Sequence, residues 1–262
     1  MLPAPNKRSS SPHEPLREPA LLLADDPSGE IARFDLLGRL NPEHRARLRQ
    51  AGRVMAHQHG QTVFHQGTRH GGIHVIESGR VRTYYTGPSG REITLAYWTP
   101  GHFVGGPELF GEGVHIWSGM AVGETRTLFL AGSTLRMLMN DLPGLAACLV
   151  EGLVHKGRCY SELLQVLATQ SVEERLWQLL QNLATLHGRA ENGRLIIERQ
   201  FSHEELASMV GATRQWVTMT LRRLQKQGNV EIHGRRISIA SRSGEPHPIS
   251  GLKPPVGEIA IS

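Results

Sequence analysis

Two periodicities divide the chain. From about Val54 to Leu130 the apolar residues fall in short β-rich runs: Thr62-Val63-Phe64, Ile73 to Ile76, Arg80 to Tyr85, Ile93 to Trp98 and Thr127 to Leu130. Glycine turns such as Glu77-Ser78-Gly79 and Pro88-Ser89-Gly90 separate them. Short, regularly spaced strands with such turns predict an antiparallel barrel or sandwich. After Asp141 and Pro143 the glycine turns largely stop, and apolar residues recur at helical steps: Leu149, Leu153, Tyr160, Leu163 and Leu167, with Lys156 filling the missing step. Steps of four and three over several turns predict a long helix with a coiled-coil-like seam for self-association, the alternative being a helix packed on its own barrel. Gly152 and Gly157 lower helix propensity there but allow two helices to approach closely.

From Ser171 a further helix, Val172 to His187, leads into a compact module ending near Ala240. Ser202 and Glu205 form a capping-box start for a short helix, Gly211 supplies a turn, and Thr213 can cap a second helix whose Val217, Leu221 and Leu224 point into a core. That leaves Thr213, Arg214, Gln215, Thr218, Met219 and Arg222 on other faces, with the first of them at the helix N-terminus, the end that meets base edges in a helix-turn-helix. Val230 to His233 and Arg236 to Ile239, joined at Gly234-Arg235, read as a two-stranded wing. Arg222, Arg223, Lys226, Arg235 and Arg236 are cations of the kind that neutralise phosphates.

The whole belongs to the α+β class: a jelly-roll-like antiparallel β-barrel over 34–140, a long helix over 141–170 and a winged helix-turn-helix over 171–240. The ends, 1–33 and 241–262, are proline-rich and polar and are expected to be disordered. The composition is that of a folded protein, with 39% hydrophobic and 20% charged residues among 262, and the net charge of +5 suits a polyanionic partner. No apolar run approaches the roughly 20 residues that span a bilayer, and the N-terminus lacks the apolar core of a signal peptide, so a reducing cytoplasm is the expected home. Cys148 and Cys159 lie 11 residues apart on one helix, about 16 Å at the helical rise, and cannot pair with each other there.

Two blocks in order carry a resemblance to a known family. The first contains Phe64-His65-Gln66-Gly67, Ile73 through Val81, Gly90 through Leu95 and Pro100-Gly101-His102-Phe103-Val104-Gly105; the second is Val210-Gly211-Ala212-Thr213-Arg214-Gln215-Trp216-Val217. Over roughly Arg53 to Ile239 the sequence resembles the CRP/FNR family of bacterial regulators. The resemblance implies a homodimer, a sensor domain that controls DNA binding, double-stranded DNA with two-fold-related half-sites, and RNA polymerase as a further partner. It also implies guanine readout by Arg214, with Gln215 standing where many members carry Glu.

Cyclic-nucleotide-binding members of that family carry a Gly-Glu pair for the ribose and an Arg for the cyclic phosphate. Here Gly106 stands at the Glu position and Ile116, followed by Trp117, at the Arg position, so an effector other than cyclic AMP is expected. An iron-sulfur cluster is not expected, since two cysteines on one helix cannot supply four thiolates. Haem or a metal is one alternative, because His57, His59, His65, His70, His74, His102 and His115 all fall in the barrel stretch, with His57 and His59 as a ligand pair by strand alternation. No specific metal-ligand set is assigned. Another reading is a small organic effector in a pocket lined by Gly105, Gly106, Glu108, Leu109, Ile116, Trp117 and Tyr160, and a third is ligand-free regulation by protein level. A cupin-like enzyme would need a carboxylate soon after His57-Gln58-His59, where the chain continues Gly60-Gln61-Thr62-Val63-Phe64-His65. No catalytic residues are therefore expected.

Overall fold

A computed structural model describes residues 35–240 other than Pro107, 198–200 and Arg235, with only the backbone of Leu186 and His187. The two tails and the wing residue Arg235 lie outside the described residues. Helices α1 (Leu36–Arg39) and α2 (Pro42–Ala51) come first, each started by a side chain that accepts from a backbone N–H, Asp35 from Gly38 and Asn41 from His44, both at 2.8 Å. Six strands follow: β1 (Arg53–His57), β2 (Thr62–Phe64), β3 (Gly72–Thr86), β4 (Glu92–Trp98), β5 (Phe103–Val104) and β6 (Ser118–Ala131). They form one antiparallel sheet in the order β1-β6-β3-β4, with β2 on β6 and β5 on β3.

The two long strands β3 and β6 shape this domain. They pair from Gly72 to Ile76 and again from Arg80 to Tyr84, and the register shifts between the two stretches. Such irregularities bend a ladder and increase its twist, so one strand pair serves two halves of a jelly-roll-like fold. The strand path is open rather than closed into a barrel, with β1 and β4 at its ends. One interior cluster joins Leu36, Leu48, Ile73, Phe103, Leu128 and Leu130 to helix α3 (Gly132–Asp141) and the start of α4 (Leu145–Thr169). A second holds Phe64, Ile76, Val81, Trp98 and Val104 against Cys159 of α4.

The C-terminal module comprises α5 (Val172–His187), β7 (Gly188–Glu191), β8 (Arg194–Ile197), α6 (His203–Val210), α7 (Arg214–Lys226), β9 (Val230–His233) and β10 (Arg236–Ala240). Its sheet has four strands, β7-β8-β10-β9, where a two-stranded wing was expected. The three helices pack over a core that includes Leu176, Leu180, Leu206, Val210, Val217, Leu221, Ile237 and Ile239.

The module is docked on the barrel. Tyr97 of β4 is part of the module's core cluster, and Leu95 and Val122 pack against it. Beside them Thr94 Oγ1 and Ser208 Oγ of α6 lie 3.2 Å apart in the interior, and Arg82 Nε donates to the same Thr94 hydroxyl at 2.9 Å. At the bend between α4 and α5, buried Arg175 donates to three carbonyls: Leu167 at 3.3 Å, Gln170 at 2.8 Å and Val210 at 2.9 Å. It ties the end of the long helix to the end of α6.

Removing that guanidinium leaves buried carbonyls unpaired. Arg175→Ala should lower unfolding stability by about 3 kcal/mol, since hydrogen bonds from a charged donor contribute roughly 1.5–3 kcal/mol each and are not additive. Urea denaturation checks it; a loss below about 1 kcal/mol would show that the joint is held elsewhere.

Candidate nucleic-acid interface and sensor site

Helix α7 is set by its two ends. Gly211 ends α6 in the left-handed region at φ 65°, a conformation cheap only for glycine, and so turns the chain into the second helix. Thr213 Oγ1 then accepts from Trp216 N at 3.2 Å and starts α7. Val217, Thr220, Leu221 and Leu224 face inward. The opposite face leaves Thr213, Arg214, Gln215, Met219 and Arg222 exposed, with Met219 61% exposed. An exposed large apolar side chain on a basic helix suits a thymine methyl group. Arg236 is exposed on β10, whereas Arg223 is ion-paired to Glu173 of α5.

Thr218 is half-buried and does a different job. Its hydroxyl donates to Arg214 O at 2.9 Å, so His203 Nδ1, 2.8 Å away, must donate to it. His203 therefore links the first turn of α6 to the turn of α7 that carries Arg214. His203 was not among the residues the sequence singled out; its position directly after the Ser202 cap was the available signal.

The expected effector pocket is only partly assembled. Gly105 and Gly106 have φ 145° and 149° and are buried. A Cβ on Gly106 would stand 3.1 Å from His70 Cδ2 and 3.2 Å from Nε2, tighter than an ordinary contact, and the φ of 149° is one that L side chains rarely adopt. Ile116 is 46% exposed, and Leu109 packs on the cluster beneath α3 instead of lining a pocket. Glu108 is exposed, and its charge acts on His70 and His115. Trp117 and Tyr160 do meet, both half-buried, with ring centroids 5.7 Å apart above Trp98.

Four barrel histidines cluster on the other side of the interior. His57 Nε2 and His74 Nδ1 both reach Thr127 Oγ1, at 3.1 and 3.3 Å; Phe64 stacks on His74 and His115, and His115 lies 4.6 Å from His70. His115 Nδ1 donates to Gly105 O. Burial lowers the pKa of all four, that of His74 to about 3, where the neighbouring His57, His115, His70 and Arg53 add to the effect. His59 lies in a turn after β1 and accepts from Gly123 N at 3.1 Å, so it does not share a strand face with His57. Among the described residues no three His, Cys, Asp or Glu side chains are placed to hold a metal ion.

Helix α4 has one face turned inward. Every residue of the expected self-association seam packs inside the protomer: Leu149 and Leu153 beneath α3, Lys156 against Trp98, Tyr160 with the aromatic cluster, Leu163 and Leu167 on the C-terminal module. Barrel packing and self-association impose the same spacing, so the expected seam residues also meet the needs of packing within the protomer. Left exposed on α4 is another stripe, Ala147, Val150, Val154, Gly157, Ser161, Leu164 and Ala168, in alternating steps of three and four. Ser161 Oγ is satisfied by Gly157 O at 2.9 Å, so this stripe is apolar or small throughout.

Comparison with known proteins covers both halves of the chain. A cyclic nucleotide-binding domain model matches residues 55–141, and a Crp-like helix-turn-helix domain model matches residues 174–244. The cyclic AMP receptor protein of Thermus thermophilus is 31% identical over 173 residues, 66% of this chain and 77% of that protein. A CRP-like cAMP-activated global transcriptional regulator of Mycobacterium tuberculosis is 27% identical over 210 residues, 80% of this chain and 94% of that protein. Among solved structures, the c-di-GMP responsive global regulator CLP of Xanthomonas campestris aligns with a TM-score of 0.69 at 20% identity, over 76% of this chain and 99% of that chain. A CooA mutant from Carboxydothermus hydrogenoformans aligns with a TM-score of 0.62 at 22% identity, over 79% and 92%.

The histidines make the barrel acid-labile. Burial lowers the pKa of both His74 and His102 from 6.5 to about 3, with Lys156 and His155 reinforcing the effect at His102. The unfolded chain takes up protons below pH 6.5 that the folded chain refuses until about pH 3, so the stability they contribute is complete above 6.5 and lost as pH falls towards 3. Between pH 6.5 and 4 the loss should be roughly 3 kcal/mol per group. Thermal midpoints at pH 7 and 4.5 check this: His74→Leu should show a shallower pH dependence than the parent, and an unchanged dependence would contradict the assignment.

Proposed function

Because the chain belongs to the CRP/FNR family of transcription regulators, we propose that it binds two symmetry-related half-sites of duplex DNA as a homodimer, reading each with α7, and that its sensor domain answers an effector other than cyclic AMP. The observation that carries the reading is the exposed face of α7, where Arg214, Gln215 and Met219 stand clear on a helix fixed at both ends. Arg214 reads guanine through O6 and N7, Gln215 suits adenine, and Arg222 and Arg236 contact phosphates, as does Arg235, which lies outside the described residues. The division into a sensor over 34–140, a dimerisation helix over 141–170 and a DNA module over 171–240 follows from this assignment.

The dimer seam in this reading is the outward stripe of α4 from Ala147 to Ala168. Its spacing is that of a coiled-coil seam, and its small residues allow two helices to lie close. The chain acts by binding and not by catalysis, in the cytoplasm where DNA and RNA polymerase are available to it. The Thermus and Mycobacterium relatives are named for cyclic AMP. The same ligand here would leave its phosphate without an arginine and its ribose without a carboxylate, given exposed Ile116 and crowded Gly106.

Selection from random duplexes tests the reading helix. Arg214→Ala should weaken specific binding by about 1–3 kcal/mol and relax one base pair in each half-site, and Gln215→Glu should shift preference towards cytosine. Identical preferred half-sites for wild type and both variants would remove α7 as the reader. Calorimetry should detect no cyclic AMP binding at micromolar ligand, and tight binding would restore the cyclic-nucleotide reading. For the seam, sedimentation should show Leu164→Asp as a folded monomer, whereas Leu163→Asp, buried within the protomer, should lower the melting temperature first. The opposite pattern would return the seam to the inward face.

A further inference from the structure

The first turn of α6 is held from both sides. The Ser202–Glu205 capping box closes it, with Ser202 N donating to Glu205 Oε2 at 2.7 Å and Glu205 N to Ser202 Oγ at 3.1 Å. Phe201 before the cap and Leu206 one turn later are both buried in the module's core, the arrangement of a hydrophobic staple. His203, the first residue of this helix, is half-buried.

The first turn of α7 lacks these supports. Its third residue is Trp216, so the Thr213 cap has no carboxylate to answer it, and the turn contains no acidic residue. Arg214 instead places a cation at the positive end of the helix dipole, which works against the turn. The Arg214 side chain is exposed, so its reach is decided by the backbone beneath it.

Thr218 lies one turn beyond Arg214 and connects the two helices. Its hydroxyl donates its single proton to Arg214 O at 2.9 Å, and His203 Nδ1 lies 2.8 Å from the same hydroxyl oxygen. With that proton spent, Nδ1 must carry a proton and donate it. The result is a directed chain from His203 Nδ1–H to Thr218 Oγ1, and from the Thr218 hydroxyl to the Arg214 carbonyl, in which each bond polarises the next. Threonine is a weak helix former, and a hydroxyl bonded back to the carbonyl four residues earlier slightly destabilises a helix. The residue weakens α7, and what it supplies is this link.

We propose that His203 is a positioning residue for base readout: through Thr218 it holds the first turn of α7 where the Arg214 guanidinium meets both acceptors of a guanine. The inference rests on the reading of DNA by α7, and it adds a residue outside that helix that sets its specificity. A bidentate base contact discriminates only while both hydrogen bonds are well aligned, whereas a phosphate contact carries no sequence information and tolerates a shift. Loosening the turn therefore lowers specific binding and leaves nonspecific binding as it was.

The test measures the affinity of the full chain for its selected duplex and for a scrambled duplex at one salt concentration. His203→Leu and Thr218→Val should each lower the ratio of specific to scrambled affinity about five- to tenfold, the contribution of one hydrogen bond, with the loss concentrated at the base pair that Arg214→Ala relaxes. The double variant should lose little more than either alone, because both changes break one chain. His203→Asn, whose amide offers an N–H in the place of Nδ1, and Thr218→Ser should stay within about twofold of wild type. Nitrogen-15 NMR of the histidine-labelled protein should show His203 protonated at Nδ1. An equal loss on both duplexes, an unchanged ratio, additive losses in the double variant, His203→Asn as impaired as His203→Leu, or an unprotonated Nδ1 would overturn the proposal. If the His203 and Thr218 variants keep the wild-type ratio while Arg214→Ala relaxes its base pair, α7 remains the reader and only the tether falls. If Arg214→Ala itself changes nothing, both readings fall.

Discussion

Helix α4 has to satisfy two partners at once, and the rest of the molecule is arranged around that constraint. Its inward face carries Leu145 and Leu149, Cys159, and Leu163 and Val166 into three different clusters, beneath α3, within the barrel and on the C-terminal module. An amphipathic helix normally leaves a polar face to water. Here the opposite face is a stripe of alanine, valine, glycine, serine and leucine, which is the composition of a second packing surface. Because one rigid rod touches the barrel, the DNA module and, in the proposed dimer, its symmetry mate, a shift on any one surface is felt at the others. Arg175 and the Thr94–Ser208 contact then determine where α6 and α7 lie relative to that rod.

The sensor half carries more buried polarity than its fold requires. His57, His70, His74 and His115 occupy the interior around Phe64 and Thr127, and Lys156 lies against Trp98. Each of these groups is held in, or pushed towards, its neutral form by burial, so the interior is tuned to admit charge only with a partner. The proposed effector other than cyclic AMP is in keeping with the same geometry. A side chain at position 106 would crowd His70 and adopt a φ of 149° that L residues rarely take, and position 116 holds an isoleucine that is 46% exposed where the resemblance would lead one to expect a cation.

Much of this was legible in the sequence because the determinants are local. Strand runs between glycine turns, the Ser202–Glu205 box, Gly211 and the Thr213 cap are each set by residues within a few positions, and the structure shows them. Burial phase on α4 was not legible: a step of three and four runs through Leu149, Leu153 and Lys156 and equally through Val150, Val154 and Gly157, and only the position of the barrel distinguishes the faces. The β7–β8 hairpin escaped because every residue of β7 is exposed, so Gly188-Arg189-Ala190-Glu191 shows no apolar alternation. The His203–Thr218 and Lys156–Trp98 contacts escaped because the partners are 15 and 58 residues apart in the chain. Leu109 was assigned to a pocket by its place in the cassette, whereas the core beneath α3 claims it.

The central claim is that α4 sets two reading helices at a fixed two-fold separation. Hydroxyl-radical footprinting of the wild-type protein on a selected duplex measures that separation directly. The account predicts two protected patches on one face of the DNA with centres about one helical turn, roughly 34 Å, apart, in a complex of two chains per duplex. A single patch, or a complex with one chain per duplex, would contradict it.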